Sequence, residues 1–195
     1  MRTATTSRKT KETDIIITLD ILEPGKVGGF TGTSGIGFFD HMLNSFCTHG
    51  GFALRLDCKG DLEVDGHHTV EDIGIVLGNA FTKALGNRVG IARFGQASVP
   101  MDEALSTAVL DISGRPFLVF DASFTNDTVG TYDTALTEEF FRAFAFASGI
   151  TLHIKNEYGG NDHHKIESVF KSVARALAQA VRIISDQIPS SKGVI

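Results

Sequence analysis

The stretch DGHHTVEDIGIVLGNAF, residues 65–81, is written a second time, in altered letters, as NDHHKIESVFKSVARAL, residues 161–177. Setting His67-His68 on His163-His164 places Val70 on Ile166, Glu71 on Glu167, Leu77 on Val173 and Ala80 on Ala176. Upstream, with a small difference in turn length, DHMLNSFCTHGGFALRL lies without a gap on EEFFRAFAFASGITLHI. Phe46 then meets Phe144, Gly51 meets Gly149 and Leu54 meets Leu152. Few identities survive, but the apolar and small positions correspond from end to end, and the repeated polar residues fall at matching places. A hydrophobic pattern alone would not align the polar residues, so the chain reads as an internal duplication.

Working outward, each copy reads strand, helix, strand, turn, helix. Phe39, Met42, Leu43 and Phe46 have helical spacing, as do Ile73, Val76, Leu77, Ala80, Phe81 and Ala84 in a helix expected from Thr69 to Leu85. Further helices are expected over Leu136–Ser148 and Lys165–Ser185, and strands over Thr13–Leu22, Gly50–Cys58, Gly95–Met101, Ala104–Ile112, Pro116–Phe124 and Gly149–Asn156. The repeats span about residues 10–92 and 93–186, with a tail over 187–195. Two such units, each a sheet with helices on one face, bury their apolar surfaces by packing helix against helix. The basic, hydroxyl-rich start MRTATTSRKTKET lacks the apolar core of a secretory signal and reads as a short mobile arm.

Composition narrows the function classes. No run of eighteen apolar residues exists, so no membrane span is expected. Two cysteines, Cys47 and Cys58, are too few for a disulfide scaffold and suit a reducing compartment. The net charge of −5 supplies no broad basic field for nucleic acid, although a few local Lys and Arg side chains suffice for a small anion.

The repeated polar residues carry chemistry. On a helix, residues three and four apart are separated by about 60° and about 40° of rotation, so the Glu of His-His-x-x-Glu lies near both histidines. One His and the Glu chelate one ion, while the neighbouring His, about 100° round, points toward a second partner. Imidazole plus carboxylate without thiolate suits Mn, Fe, Zn or Ni. His41, in FFDHML, is a further ligand candidate; its repeat-mate is Glu139. His49 and His153 are expected in buried, hydrogen-bonded roles.

KET, FFDHML, DGHHTVEDIGI, PMDEAL, DISGRP, FFRAFA, SGITLHI, GNDHHKIES and IPSSKGV together resemble the imidazoleglycerol-phosphate dehydratases of histidine biosynthesis, over nearly the whole chain. The resemblance implies an α+β fold of two sheet-plus-two-helices repeats, with a helical layer between two four-stranded sheets. It implies a cytoplasmic hydro-lyase that removes water from imidazole-glycerol phosphate to give imidazole-acetol phosphate. It also implies a pair of Mn²⁺ ions per site, and a 24-subunit homo-oligomer whose sites are shared between subunits. Carried over by motif, the metal ligands are His41, His67, His68, Glu71, His163, His164 and Glu167. Glu139 stands where many members have His, which keeps a metal-binding side chain but changes its basicity and charge. Glu12 matches the acidic residue near the substrate diol and is the general acid/base candidate; metal-bound hydroxide, or Glu71 and Glu167 in dual metal and proton roles, are the alternatives for proton transfer. Arg93, Arg115, Lys171, Ser190 and Lys192 match phosphate-binding positions. Asp102 and Glu103 are expected to line the site. The overall reaction involves no net redox, which agrees with the absence of a Gly-x-Gly-x-x-Gly fingerprint.

Two other classes compete on the residues alone. A metal-assembled structural protein explains the His-His-x-x-Glu pairs but not the Arg, Lys and Ser set. A binuclear metallohydrolase explains the metal donors, and would release orthophosphate instead of forming a ketone.

Overall fold

The computed structural model describes residues 2–193. Met1, Val194 and Ile195, the last two belonging to the expected tail, lie outside the described residues. The first half runs β1 (Arg2–Lys9), β2 (Thr13–Ile21), β3 (Gly29–Thr31), α1 (Gly37–Gly50), β4 (Phe52–Gly60) and α2 (His67–Leu85). The second runs β5 (Phe94–Met101), β6 (Ala104–Asp111), β7 (Phe117–Asp121), the short pair β8 (Thr128–Val129) and β9 (Tyr132–Asp133), α3 (Leu136–Ser148), β10 (Thr151–Tyr158) and α4 (Asp162–Ala180).

The two large sheets have one topology. Their strand orders are β1-β2-β4-β3 and β5-β6-β10-β7. In each, the first three strands pair antiparallel and the last pairs parallel to its neighbour. The matched glycines Gly51 and Gly149 close α1 and α3 in the left-handed conformation, at φ 69° and 67°, which costs glycine nothing sterically. Alternating residues of β2, Ile15, Ile17, Leu19 and Ile21, are buried toward the helices.

The helices meet between the sheets, α2 against α3 and α1 against α4. Gly74 lets α2 and α3 approach closely: a Cβ there would lie 2.8 Å from the Phe140 carbonyl oxygen and 2.9 Å from Ala143 Cβ. An aromatic chain, Phe39, Phe140, Phe170 and Phe141, joins α1, α3 and α4 with ring centroids 4.8–5.3 Å apart from one ring to the next.

Three expectations are corrected. The N-terminal arm is a strand: β1 pairs along its length with β2, from Arg2↔Ile21 to Lys9↔Asp14. Its polar residues anchor it, Thr6 donating to the Val76 carbonyl at 2.9 Å and Arg8 pairing with buried Asp72 at 2.6 Å. Second, α4 ends at Ala180, not Ser185, because the chain turns off to hydrogen-bond Ala92 N–H to the Arg182 carbonyl and bridge Ile91 with Ile183. Third, α2 and α4 begin two and three residues before the expected Thr69 and Lys165. The side chains of Asp65 and Asn161 accept from the backbone N–H groups of His67 and His163 at 2.7 and 2.9 Å. Both His-His pairs therefore occupy the first turn of a helix.

Candidate active site

Packing α1 on α4 brings residues of the two repeats together. His41 Nε2 lies 3.7 Å from Glu167 Oε2, and His163 Nε2 lies 3.3 Å from the same oxygen. These side chains form the one group of three His or carboxylate donors gathered within 4.8 Å of one another among the described residues. Glu167 is nearly buried, and its other oxygen accepts from Lys171 Nζ at 2.7 Å. Burial pushes its pKa up, but the Lys171 hydrogen bond and charge, with His41 and His163, outweigh that and hold it below the ordinary value.

The second histidine of each pair points elsewhere and meets carboxylates. His68 Nδ1 lies 3.0 Å from Asp61 Oδ2, and its Nε2 lies 3.8 Å from Glu12 Oε1. His164 Nδ1 lies 2.7 Å from Glu103 Oε2, and its Nε2 lies 3.8 Å from Asp102 Oδ2. Glu12 sits in the turn between β1 and β2, where its N–H donates to Thr10 Oγ1, and Asp102 and Glu103 form the turn between β5 and β6. Hydrogen bonding to Asp61 and to Glu103 raises the pKa of His68 and His164 respectively. The Glu103 carboxyl falls to about 2, first through His164 and then through the N–H groups of Asn161 and Gly160.

The remaining metal candidates are arranged differently. Glu71 and Glu139 line one groove between α2 and α3, with Ile75, Asn79 and Arg142. Arg142 Nη2 stands 3.6 Å from Glu139 and 2.6 Å from Glu138. His67, Glu71 and Glu139 are not gathered as tightly as the His41 group.

The phosphate candidates fall into two sets. Arg93 forks onto Asp111, with Nε 2.7 Å from Oδ1 and Nη2 3.1 Å from Oδ2, and its Nη1 holds the Pro189 carbonyl at 2.8 Å. The exposed Arg115 approaches the same Asp111 at 3.8 Å. The Pro189 contact fixes the segment carrying Ser190 and Lys192, where Ser190 Oγ accepts from the Lys192 N–H. Lys171, the other candidate, is ion-paired with Glu167 Oε1 at 2.7 Å. His49 and His153, expected to be buried, are both exposed. The His49 pKa is lowered, by partial burial first and then by Lys171 and Arg175. Asp61 and Asp111 were not anticipated. Each lies at or just beyond a strand end, and only the tertiary fold brings it to its partner.

The family model of imidazoleglycerol-phosphate dehydratase matches residues 34–177, most of the chain, including both His-His-x-x-Glu segments. The chain belongs to the imidazoleglycerol-phosphate dehydratase family. The dehydratase of Lacticaseibacillus casei (strain BL23) is 55% identical over 197 aligned residues, covering 100% of both chains. That of Carboxydothermus hydrogenoformans (strain ATCC BAA-161 / DSM 6008 / Z-2901) is 53% identical over 195, again covering 100% of both. Among solved structures, the dehydratase from Staphylococcus aureus subsp. aureus N315 superposes with a TM-score of 0.81 at 38% identity, covering 92% of this chain and 99% of that one. The Pyrococcus furiosus dehydratase, solved in complex with (S)-C348, also gives 0.81, at 37% identity and with 97% and 99% coverage. The family's activity, that of a hydro-lyase acting in histidine biosynthesis, is this chain's activity. Glu12, Ser190 and Lys192 fall outside the matched family model but within the full-length alignments to the dehydratase relatives.

Proposed function

We propose that this dehydratase works with a pair of divalent metal ions, Mn²⁺ foremost, at sites completed between copies of the chain. The observation that carries the reading is the meeting of His41, His163 and Glu167, with donor atoms within 4.8 Å. Two imidazoles and one carboxylate fit a borderline divalent ion, and three protein donors leave its shell open. His164 shares a helix with His163 but points about 100° away, toward Glu103 and Asp102. It therefore serves a different ion from its neighbour, and His68 stands in the same relation to His67. In this reading the α1–α4 face of one copy meets the α2–α3 face of another, each lending its outlying histidine. Such a head-to-tail contact builds a closed symmetric assembly where the rotation between copies closes, and a 24-subunit shell is the form inferred from the resemblance. The two unpaired thiols and the biosynthetic role support a cytoplasmic location.

A bound divalent ion supplies Lewis-acid stabilisation of the deprotonated substrate imidazole. The rest of the chemistry belongs to the chain. Arg93, Arg115, Ser190 and Lys192 hold the phosphate, with Asp111 aligning the Arg93 guanidinium. Lys171 keeps Glu167 ionised and oriented, and adds a cation beside the site. Glu12, half-exposed on its turn beside His68, is the proton-transfer residue at the substrate diol. The C–O bond beside the ring and the C–H bond of the next carbon break, a C=C bond forms, and water leaves. The resulting enol tautomerises to the ketone.

The test is restoration of activity. Protein stripped with a chelator should form no ketone from imidazole-glycerol phosphate, and added Mn²⁺ should restore it with two ions bound per site. Full activity of metal-free protein overturns the reading.

A further inference from the structure

We propose that Asp61 and Glu103 are positioning residues of the metal centre, each holding one outlying histidine in the tautomer that leaves Nε2 free to bind an ion. This rests on the metal reading above. An ionised carboxylate only accepts hydrogen bonds, so a ring nitrogen 2.7 Å from Glu103 Oε2 carries the proton. In a neutral ring the lone pair is then on Nε2. The same holds for His68 beside Asp61 at 3.0 Å. Such partners orient a ligand and raise its basicity.

The two repeats build this contact from different places. Asp61 immediately follows β4, whereas Glu103 lies in the β5–β6 turn. Continuing the match of Leu54 with Leu152 sets Asp61 opposite Gly159, which carries no side chain. The contact recurs although the residue supplying it does not, which points to a requirement of the histidine and not to inheritance of a turn.

Their surroundings differ in a way that makes the role separable from mere structure. Glu103 Oε1 accepts from the N–H groups of Gly160 and Asn161 at 3.1 and 2.8 Å, while Oε2 faces His164. In Glu103→Gln the carbonyl stays on those two donors and the amide NH₂ turns toward Nδ1. That drives the proton to Nε2 and blocks the ligand atom. Among the described residues, buried Asp61 Oδ1 has no hydrogen-bond partner, so Asp61→Asn is free to keep its carbonyl on His68 Nδ1.

The experiment measures Mn²⁺ dissociation constants and bound metal for the full-length wild type, Glu103→Gln and Asp61→Asn. Solid-state ¹⁵N spectra of histidine-labelled, metal-free protein are recorded alongside. Glu103→Gln should weaken Mn²⁺ binding about ten- to hundredfold, keep its melting temperature close to wild type, and show a His164 Nε2–H signal. Asp61→Asn should bind within a few-fold of wild type. Wild-type affinity in Glu103→Gln with an Nδ1–H His164 overturns the proposal. So does an Nε2–H tautomer at His68 or His164 in the unmutated protein, a readout independent of how the variants fold. Wild-type protein that binds no Mn²⁺ at all removes the metal reading beneath it, a distinct outcome.

Discussion

His41 on α1 and Glu167 on α4 come from opposite repeats, yet His41 Nε2 stands 3.7 Å from Glu167 Oε2. Their meeting converts a duplicated sequence pattern into a candidate metal-binding half-site, because α1 of one repeat packs on α4 of the other. Substituting Glu167→Gln removes the charged donor and leaves Lys171 without its 2.7 Å partner. Bound Mn²⁺ per chain should fall and the dissociation constant should rise at least about tenfold, with a smaller assembly by light scattering. Unchanged metal content and particle size would take Glu167 off the ligand set.

Arg93 tests the phosphate assignment separately. Arg93→Ala removes the fork on Asp111 and the hold on Pro189. KM for the substrate should rise by about tenfold or more, the loss of about 1.5–3 kcal/mol of charge-assisted hydrogen bonding, while Mn²⁺ content stays at wild type. A variant that loses metal and keeps its KM would place Arg93 in the metal centre instead.

The strand β1 was not legible because RTATTSRK places one buried residue, Ala4, among polar ones. Its stability comes from partners distant in sequence, above all Asp72, which accepts from both Arg8 and Thr13. Asp72→Ala should therefore destabilise the protein by about 2 kcal/mol and speed amide exchange along β1. Exchange in β1 as slow as in wild type would show that the strand does not depend on this anchor.

Cys58 gives a pH prediction with a definite sign. Burial first, then the negative charges of Asp40, Asp57 and Asp72, raise its thiol from 9.0 to about 11. The neutral thiol is the form that the fold favours, so the stabilisation linked to it is present below pH 9.0 and is lost as pH rises toward about 11. Native protein at pH 9 should react with iodoacetamide at least about tenfold more slowly than protein unfolded in urea. Equal rates would mean that Cys58 is not shielded.

Much of the architecture could be read from the chain, for identifiable reasons. Strands such as β2 alternate buried and part-exposed residues, and helices such as α3 carry Phe140, Phe141 and Phe144 at helical spacing. The three-residue β3 escaped notice because GGFTG reads as loop, and only its parallel pairing with β4 makes it a strand. At the site, His41, His163 and Glu167 were legible because the repeat aligned their helices. Asp61 and Asp111 were not, since an isolated Asp near a strand end carries no signal until the fold supplies its His or Arg. Glu12 is a middle case: alone it reads as a solvated charge, and the β1–β2 turn sets it 3.8 Å from His68.

The central claim is that the two His-His-x-x-Glu segments act together across a boundary between copies. The direct test mixes two inactive variants, His67→Ala with His68→Ala in one chain and His163→Ala with His164→Ala in the other. The two are combined metal-free and reassembled with Mn²⁺. Ketone formation should return in the mixture, because some sites then draw an intact segment from each copy. No recovery from a mixture shown by mass spectrometry to contain both chains in one assembly would contradict it.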